Sequence, residues 1–295
     1  KIIEEFGAGN DWYLNNKRNR TFHETNDGSV AYFLVDNNGN LKRDGNYAAA
    51  SLYKTVSKDE DDKTVEEYKD KLGQVVLKRS KDGGENVDTY FVNNDLGQLA
   101  YVIPPLAADG LTATGVIEDN NDLLKKYGYL YKYDTRGNCK EKRLPGCEPI
   151  FMVYDKADRL VLSQDGNQRA KTTKEWTVTK YDVFGRIIFT GVTTALSGSV
   201  HNNLITSYKD ELIVETYENG TYTTNKFADA TPLTINFYDN YDFRNNLPEP
   251  TKTKLNFATL SPYDGQHTSA KGLLTGTRTY HLDGSGNYSA IALFY

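Results

Sequence analysis

One short pattern recurs along this chain and restricts its fold more than any other feature. An aromatic or β-branched residue is followed by Asp or Asn, two variable residues, Gly, a polar residue and an apolar one. The best copies are Tyr133-Asp134-Thr135-Arg136-Gly137-Asn138 and Tyr181-Asp182-Val183-Phe184-Gly185-Arg186-Ile187. A third, Tyr154-Asp155-Lys156-Ala157-Asp158-Arg159-Leu160, differs in having Asp where the others have Gly. Weaker copies begin at Asp36, Asp70, Asn94 and Asp283 and end at Gly39, Gly73, Gly97 and Gly286. The spacing is irregular, so this is a repeat chain without a fixed period.

Asp-x-x-Gly is a turn. The Asp side chain can accept from backbone N–H groups two residues on, and Gly in fourth place takes the positive φ that returns the chain into a strand. Each copy therefore reads as a hairpin tip, and the flanks alternate as strands do: Trp176, Val178 and Lys180 lead in, Ile187 and Phe189 lead out. Tyr127, Tyr129, Tyr131 and Tyr133 would fall on one side of an extended stretch. The expected helix runs roughly from residue 118 to 126, capped by Asp119, Asn120 or Asn121. Pro104 and Pro105 must interrupt any ladder. Asp59-Glu60-Asp61-Asp62 reads as a solvated loop, and Asp165-Gly166-Asn167 as a further hairpin turn. The expected fold class is all-β: irregular repeats of β-hairpins forming a curved or spiral antiparallel sheet, with at most one or two short helices. Residues 1–45 would be an N-terminal β segment, 46–190 the hairpin repeats, and 191–295 further β-rich repeats or a second lobe, because the motif fades between Gly191 and Leu233.

Composition agrees and narrows the function. Of 295 residues, 22 are Tyr and 12 Phe, which suits strands packed on one face and wetted on the other. Mean hydropathy is −0.65 and no apolar run reaches membrane length, so a membrane-spanning helix is not expected. Lys plus Arg number 35 against 40 Asp plus Glu, with the signs mixed, so a nucleic-acid partner is not expected either. Two cysteines are too few for a disulfide framework. The chain starts without a signal peptide and stops in mid-strand pattern, which suggests a piece of a longer protein.

The ordered series of motifs resembles the Rhs, or YD-repeat, proteins of the Bacteroidetes type. It runs through residues 51–60, 68–79 and 99–105, then Tyr131-Lys132-Tyr133-Asp134, residues 153–160, 164–169 and 180–182, and on to Asn236-Phe237-Tyr238-Asp239 and residues 272–276. The resemblance implies a β-hairpin shell, extracellular or at the bacterial cell surface, and a polymorphic-toxin setting in which a shell encloses or presents a C-terminal toxin or effector. The partner it implies is the remainder of the same polypeptide. The sequence departs from the pattern in lacking the self-cleavage aspartates of the C-terminal core-associated motif, and in having Asn93-Asn94 where Tyr-Asp is usual.

Candidates for chemistry are few. His23, His201, His267 and His281 are far apart in sequence and show no zinc spacing. Cys139 and Cys147 could be cross-linked, but two reduced, buried thiols are the expectation. Asp134, Asp155 and Asp182 recur with Arg136, Arg159 and Arg186; a glycosidase pair would be unique, so turn capping is the better reading. Asp283 begins a stretch that faintly resembles a calcium loop but lacks its alternating acids. No cofactor is expected, and the chain reads as a non-enzymatic structural segment. The alternative is a cell-surface module binding a protein, or a glycan stacked on Tyr127, Tyr129 and Tyr131.

Overall fold

The computed structural model describes residues 4–82, 84–223, 225–256 and 270–295. The chain divides into two compact units, Lys1–Pro149 and Ile150–Tyr295.

The first unit has twelve described strands: β1 (Glu4–Phe6), β2 (Arg18–Thr25), β3 (Ala31–Val35), β4 (Leu41–Asn46), β5 (Tyr53–Lys58), β6 (Thr64–Lys69), β7 (Val75–Asp82), β8 (Glu85–Asn93), β9 (Leu99–Ile103), β10 (Gly115–Ile117), β11 (Tyr129–Tyr133) and β12 (Cys139–Arg143). Nine form one antiparallel sheet in the order β1-β2-β5-β6-β7-β8-β9-β11-β12, and β10-β4-β3 form a smaller one. The alternation read in the sequence becomes rows across the larger sheet. Tyr68, Leu77, Tyr90 and Ile103 stand directly opposite one another, as do Val92, Tyr101 and Leu130. All seven are buried, and Phe33 and Leu41 of the smaller sheet pack on them. Each such side chain contributes about 1.5–3 kcal/mol by leaving water.

A short helix α1 (Asn10–Leu14) follows β1, and between β9 and β11 the chain forms two more, α2 (Pro105–Gly110) and α3 (Asp122–Tyr127), which place Ala107 and Leu124 in the same core. The prolines end the ladder as expected, and Pro105, lacking an N–H, sits at the first helical position, where none is needed. Asn121 caps α3, its Oδ1 accepting from the N–H groups of Leu123 and Leu124 at 3.0 and 3.3 Å.

The second unit contains β13 (Ile150–Tyr154), β14 (Leu160–Gln164), β15 (Trp176–Tyr181), β16 (Ile187–Thr193), β17 (Tyr217–Glu218), β18 (Thr221–Tyr222), β19 (Thr231–Asp239), β20 (Ala270–Tyr280) and β21 (Tyr288–Ala292). Its sheet runs β13-β14-β15-β16-β19-β20-β21, and β17 and β18 form a separate small hairpin. Val153, Leu162 and Val178 make a buried row under Leu204 of the helix His201–Tyr208. A second cluster gathers on Phe237, whose ring stacks on Phe243 at 4.5 Å. Gly276 lies opposite Phe237, and a Cβ there would come within 2.2 Å of the Phe243 ring. The segment between β16 and β19, where the motif fades, supplies the helix His201–Tyr208 and the small hairpin, outside the main sheet.

Two local expectations are corrected. Among the described residues there are six α-helices of four to eight residues, more than the one or two expected; elements this short leave no readable 3.6-residue period. One of them replaces the hairpin turn read at Asp165-Gly166-Asn167. Asp165 caps the helix Gly166–Ala170, accepting from the Gln168 N–H while the Gln168 side chain accepts from the Asp165 N–H.

Candidate functional site: the tyrosine–aspartate turns

At Asp134 the N–H donates to the Asn138 carbonyl at 2.9 Å, and the Gly137 N–H returns to the Asp134 carbonyl at 3.1 Å. One carboxylate oxygen, Oδ1, accepts from the N–H groups of Arg136 and Asn138, both at 2.9 Å. Gly137 has φ 88°. This is a type I turn closed by a left-handed residue, the three-residue hairpin loop whose bulge shifts the register between Lys132 and Tyr133.

The same four bonds recur at Asp36, Asp70, Asn94, Asp155 and Asp182. Gly39, Gly73, Gly97 and Gly185 have φ between 77° and 85°, and Asp158, standing where Gly is missing, takes 58°. Asn94 does with an amide oxygen what the others do with a carboxylate. A seventh copy lies where the sequence suggested only a solvated loop. Asp59 Oδ1 accepts from Asp61 and Lys63, and Asp62 closes the turn at φ 61°. The signal was present: Asp is among the residues that tolerate this conformation next best to Gly. Asp283 differs. It lies between β20 and β21 and its Oδ1 accepts from Ser285, but the hairpin closes through His281 N–H to the Asn287 carbonyl, with both Gly284 and Gly286 at positive φ.

At Tyr133, Tyr181 and Tyr238 the tyrosine before the Asp links one hairpin to the one preceding it, whereas the Tyr154 hydroxyl bonds Met152 Sδ at 3.6 Å within its own strand. Tyr133 Oη donates to the Leu99 carbonyl at 2.8 Å, Tyr181 Oη to Leu160 at 2.9 Å, and Tyr238 Oη to Ile187 at 3.1 Å. In each case the acceptor is five residues after the Asp or Asn of the earlier turn. Phenylalanine could fill the space but could not make this bond.

The residue four after the Asp adds a second link. At two turns of the first unit it is Gln: Gln74 Nε2 reaches the Gly97 carbonyl at 3.5 Å and Gln98 Nε2 the Gly137 carbonyl at 3.4 Å, joining turns 70, 94 and 134, whereas Asn40, Lys63 and Asn138 stand there in the other three. In the second unit it is Arg. Arg159 pairs with Asp155 and lies 4.8 Å over the Tyr181 ring; Arg186 pairs with Asp182 and lies 4.3 Å over Tyr238. Arg186 also holds both oxygens of Asp239, the residue after Tyr238. Burial would raise the pKa of Asp155, but the Arg159 ion pair and the N–H donors outweigh it and leave the group below its ordinary 3.8. The Arg186 bond likewise lowers Asp239, helped by the Gly272 N–H at 2.7 Å.

These carboxylates are occupied by their own backbone and by arginine, an arrangement suited to holding a turn rather than transferring a proton. Tyr127 departs from the expected row: it ends α3 and packs against the core, with Lys126 Nζ 5.1 Å from its ring. Tyr129 and Tyr131 lie in β11 and are half-buried. Cys139 and Cys147 are not joined in a disulfide; Cys139 is half-buried beside Tyr133, and Cys147 is exposed rather than buried. His201 stacks on Phe151 and bonds the Met152 carbonyl, His281 meets Ser289, His23 meets Thr55, and His267 lies outside the described residues. Among the described residues no group of three or more His, Cys, Asp or Glu could hold a metal, and no helix is long and apolar enough to cross a membrane.

No protein-family profile and no curated protein matches the chain. Among solved structures it is similar to TcdB2-TccC3, at 13% identity and a TM-score of 0.39 over 98% of this chain and 16% of that one. It is also similar to TcdB2-TccC3 without the hypervariable C-terminal region, at 13% identity and 0.38 over 97% and 15%. The chain thus spans about a sixth of the solved chains it matches.

Proposed function

We propose that this chain is a structural, non-enzymatic wall segment of an Rhs/YD-repeat shell, part of a longer polypeptide that encloses or presents a C-terminal toxin or effector outside the cell or at its surface. The observation that carries this reading is one turn repeated seven times with the same four bonds, an Asp or Asn oxygen satisfied internally in each, and Tyr133 and Tyr181 joining two of the turns to the preceding hairpin. A wall needs such redundancy, whereas a catalytic site needs a unique constellation. The ordered YD motifs of the sequence support the same reading.

The test is limited proteolysis of the full-length polypeptide. The wild type should keep the region C-terminal to this segment intact, and the double variant Tyr181→Ala, Asp182→Ala should expose it to cleavage. Equal cleavage in both would contradict an enclosing role.

A further inference from the structure

On the covered face of the second unit, Lys180, Phe189, Ile235 and Arg278 stand directly opposite one another on β15, β16, β19 and β20. Above them, Tyr222 and Phe227 help to enclose a pocket of about 180 Å³, room for a single-ring molecule rather than a drug-sized one. The two ends of the row are cationic, roughly 14 Å apart at ordinary strand spacing. At one end the charge is neutralised. Lys180 Nζ lies 3.2 Å from Glu215 Oε1, and Glu215 also accepts from Thr223 Oγ1 at 2.9 Å and the Asn225 N–H at 2.9 Å, with both side chains of the pair at most 4% exposed. Glu215 therefore presents little unsatisfied charge to the pocket.

The other end is not neutralised. Arg278 is held between Phe237 and Tyr288, 5.1 and 5.3 Å from their ring centroids, and donates one long bond of 3.3 Å to the Phe243 carbonyl. Its Nε–H is buried without an acceptor, and no carboxylate pairs with it among the described residues. Arg278 is half-buried, and a guanidinium held between two rings with one orphaned N–H beside an aromatic pocket gains from an anion that completes it.

We propose that this pocket binds a small monocarboxylate carrying one aromatic or branched aliphatic group, its carboxylate on Arg278 and its hydrocarbon over Phe189 and Ile235. The carboxylate supplies the missing acceptor, and the apolar floor takes the ring. The site is independent of the turn-based wall function.

The test uses benzoate and its neutral counterpart benzyl alcohol, titrated into the protein and followed by calorimetry and amide NMR shifts. Benzoate should bind about tenfold or more tightly than benzyl alcohol, the margin of a charge-assisted bond. Arg278→Gln should remove that margin and leave benzyl alcohol unchanged, with folding checked by circular dichroism. Ala230→Phe, which places a ring in the lining without altering Arg278, should weaken both ligands. Equal binding of the two ligands, benzoate affinity insensitive to Arg278→Gln, or no binding of either at about 10 mM would each overturn the proposal.

Discussion

At the scale of the residue, one side-chain oxygen does most of the work in each turn, and the second oxygen decides how replaceable the residue is. Among the described residues, Asp134 Oδ2 bonds only the amide of Asn138, at 3.3 Å. Since Asn94 already serves the same turn with Gln98 as its amide partner, Asp134→Asn should change stability by less than about 0.5 kcal/mol in urea unfolding. Asp155 is fully buried and its Oδ2 pairs with Arg159. Asp155→Asn leaves that guanidinium without its anion and should cost about 3 kcal/mol in the same assay. Both Asp155 and Asp239 have pKa values depressed on folding, so the stability they contribute is complete above the ordinary carboxylate value of 3.8 and is lost as pH falls through their lower folded values. Urea midpoints measured from pH 6 to pH 2.5 should therefore fall below about pH 4, and less steeply in Asp155→Asn than in the wild type. The Asp and Gly of these turns were legible because each is a local rule of chain geometry. The turn at Asp59 was obscured by its own composition, since four consecutive acids look like solvent-facing charge until Asp62 is seen at φ 61°.

At the scale of the element, the unit of construction is a hairpin joined to its neighbour by a tyrosine hydroxyl and by the residue four after the Asp. Tyr181→Phe removes the bond to the Leu160 carbonyl while keeping the ring under Arg159, and should cost about 1 kcal/mol by denaturant unfolding. A loss near zero would mean that the hydroxyl contributes nothing net. Gly276→Ala should be costlier, because its Cβ would meet the Phe243 ring at 2.2 Å and that ring is already stacked on Phe237; a loss of about 1–3 kcal/mol is expected. Strands and turns were readable from period-two alternation and Asp-x-x-Gly. Tyr133, Tyr154 and Tyr181 also read as packing between hairpins, but the carbonyls that the tyrosine hydroxyls bond were not readable, because donor and acceptor are 34, 21 and 51 residues apart and only the sheet order brings them together. Tyr127 was misplaced for the complementary reason: alternation continued through Gly128, but the Asn121 cap and the burial of Leu124 draw residues 122–127 into a helix.

At the scale of the whole molecule, repetition is the argument for a structural role. Seven turns of one geometry, six built on a satisfied carboxylate and one on the Asn94 amide, would give the proposed wall a rigidity that is distributed rather than concentrated in one site. Glu215, Tyr222 and Phe227, which pair with Lys180 or close the pocket beside it, lie instead where the motif fades, and no sequence spacing announced the ion pair, since its partners are 35 residues apart. Residue-resolved amide hydrogen exchange tests the central claim most directly. Amides at exposed loop tips ordinarily exchange freely, but here the N–H groups two and four residues after each Asp or Asn are bound to its side chain, among them Arg136, Asn138, Phe184, Arg186, Asp61 and Lys63. The account predicts that these amides are slowed at least about tenfold at all seven turns, the acidic one included, and that each Asp→Ala variant releases only its own turn. Exchange at open-chain rates across the turns would contradict it, because hairpin tips that open freely cannot be what locks the wall.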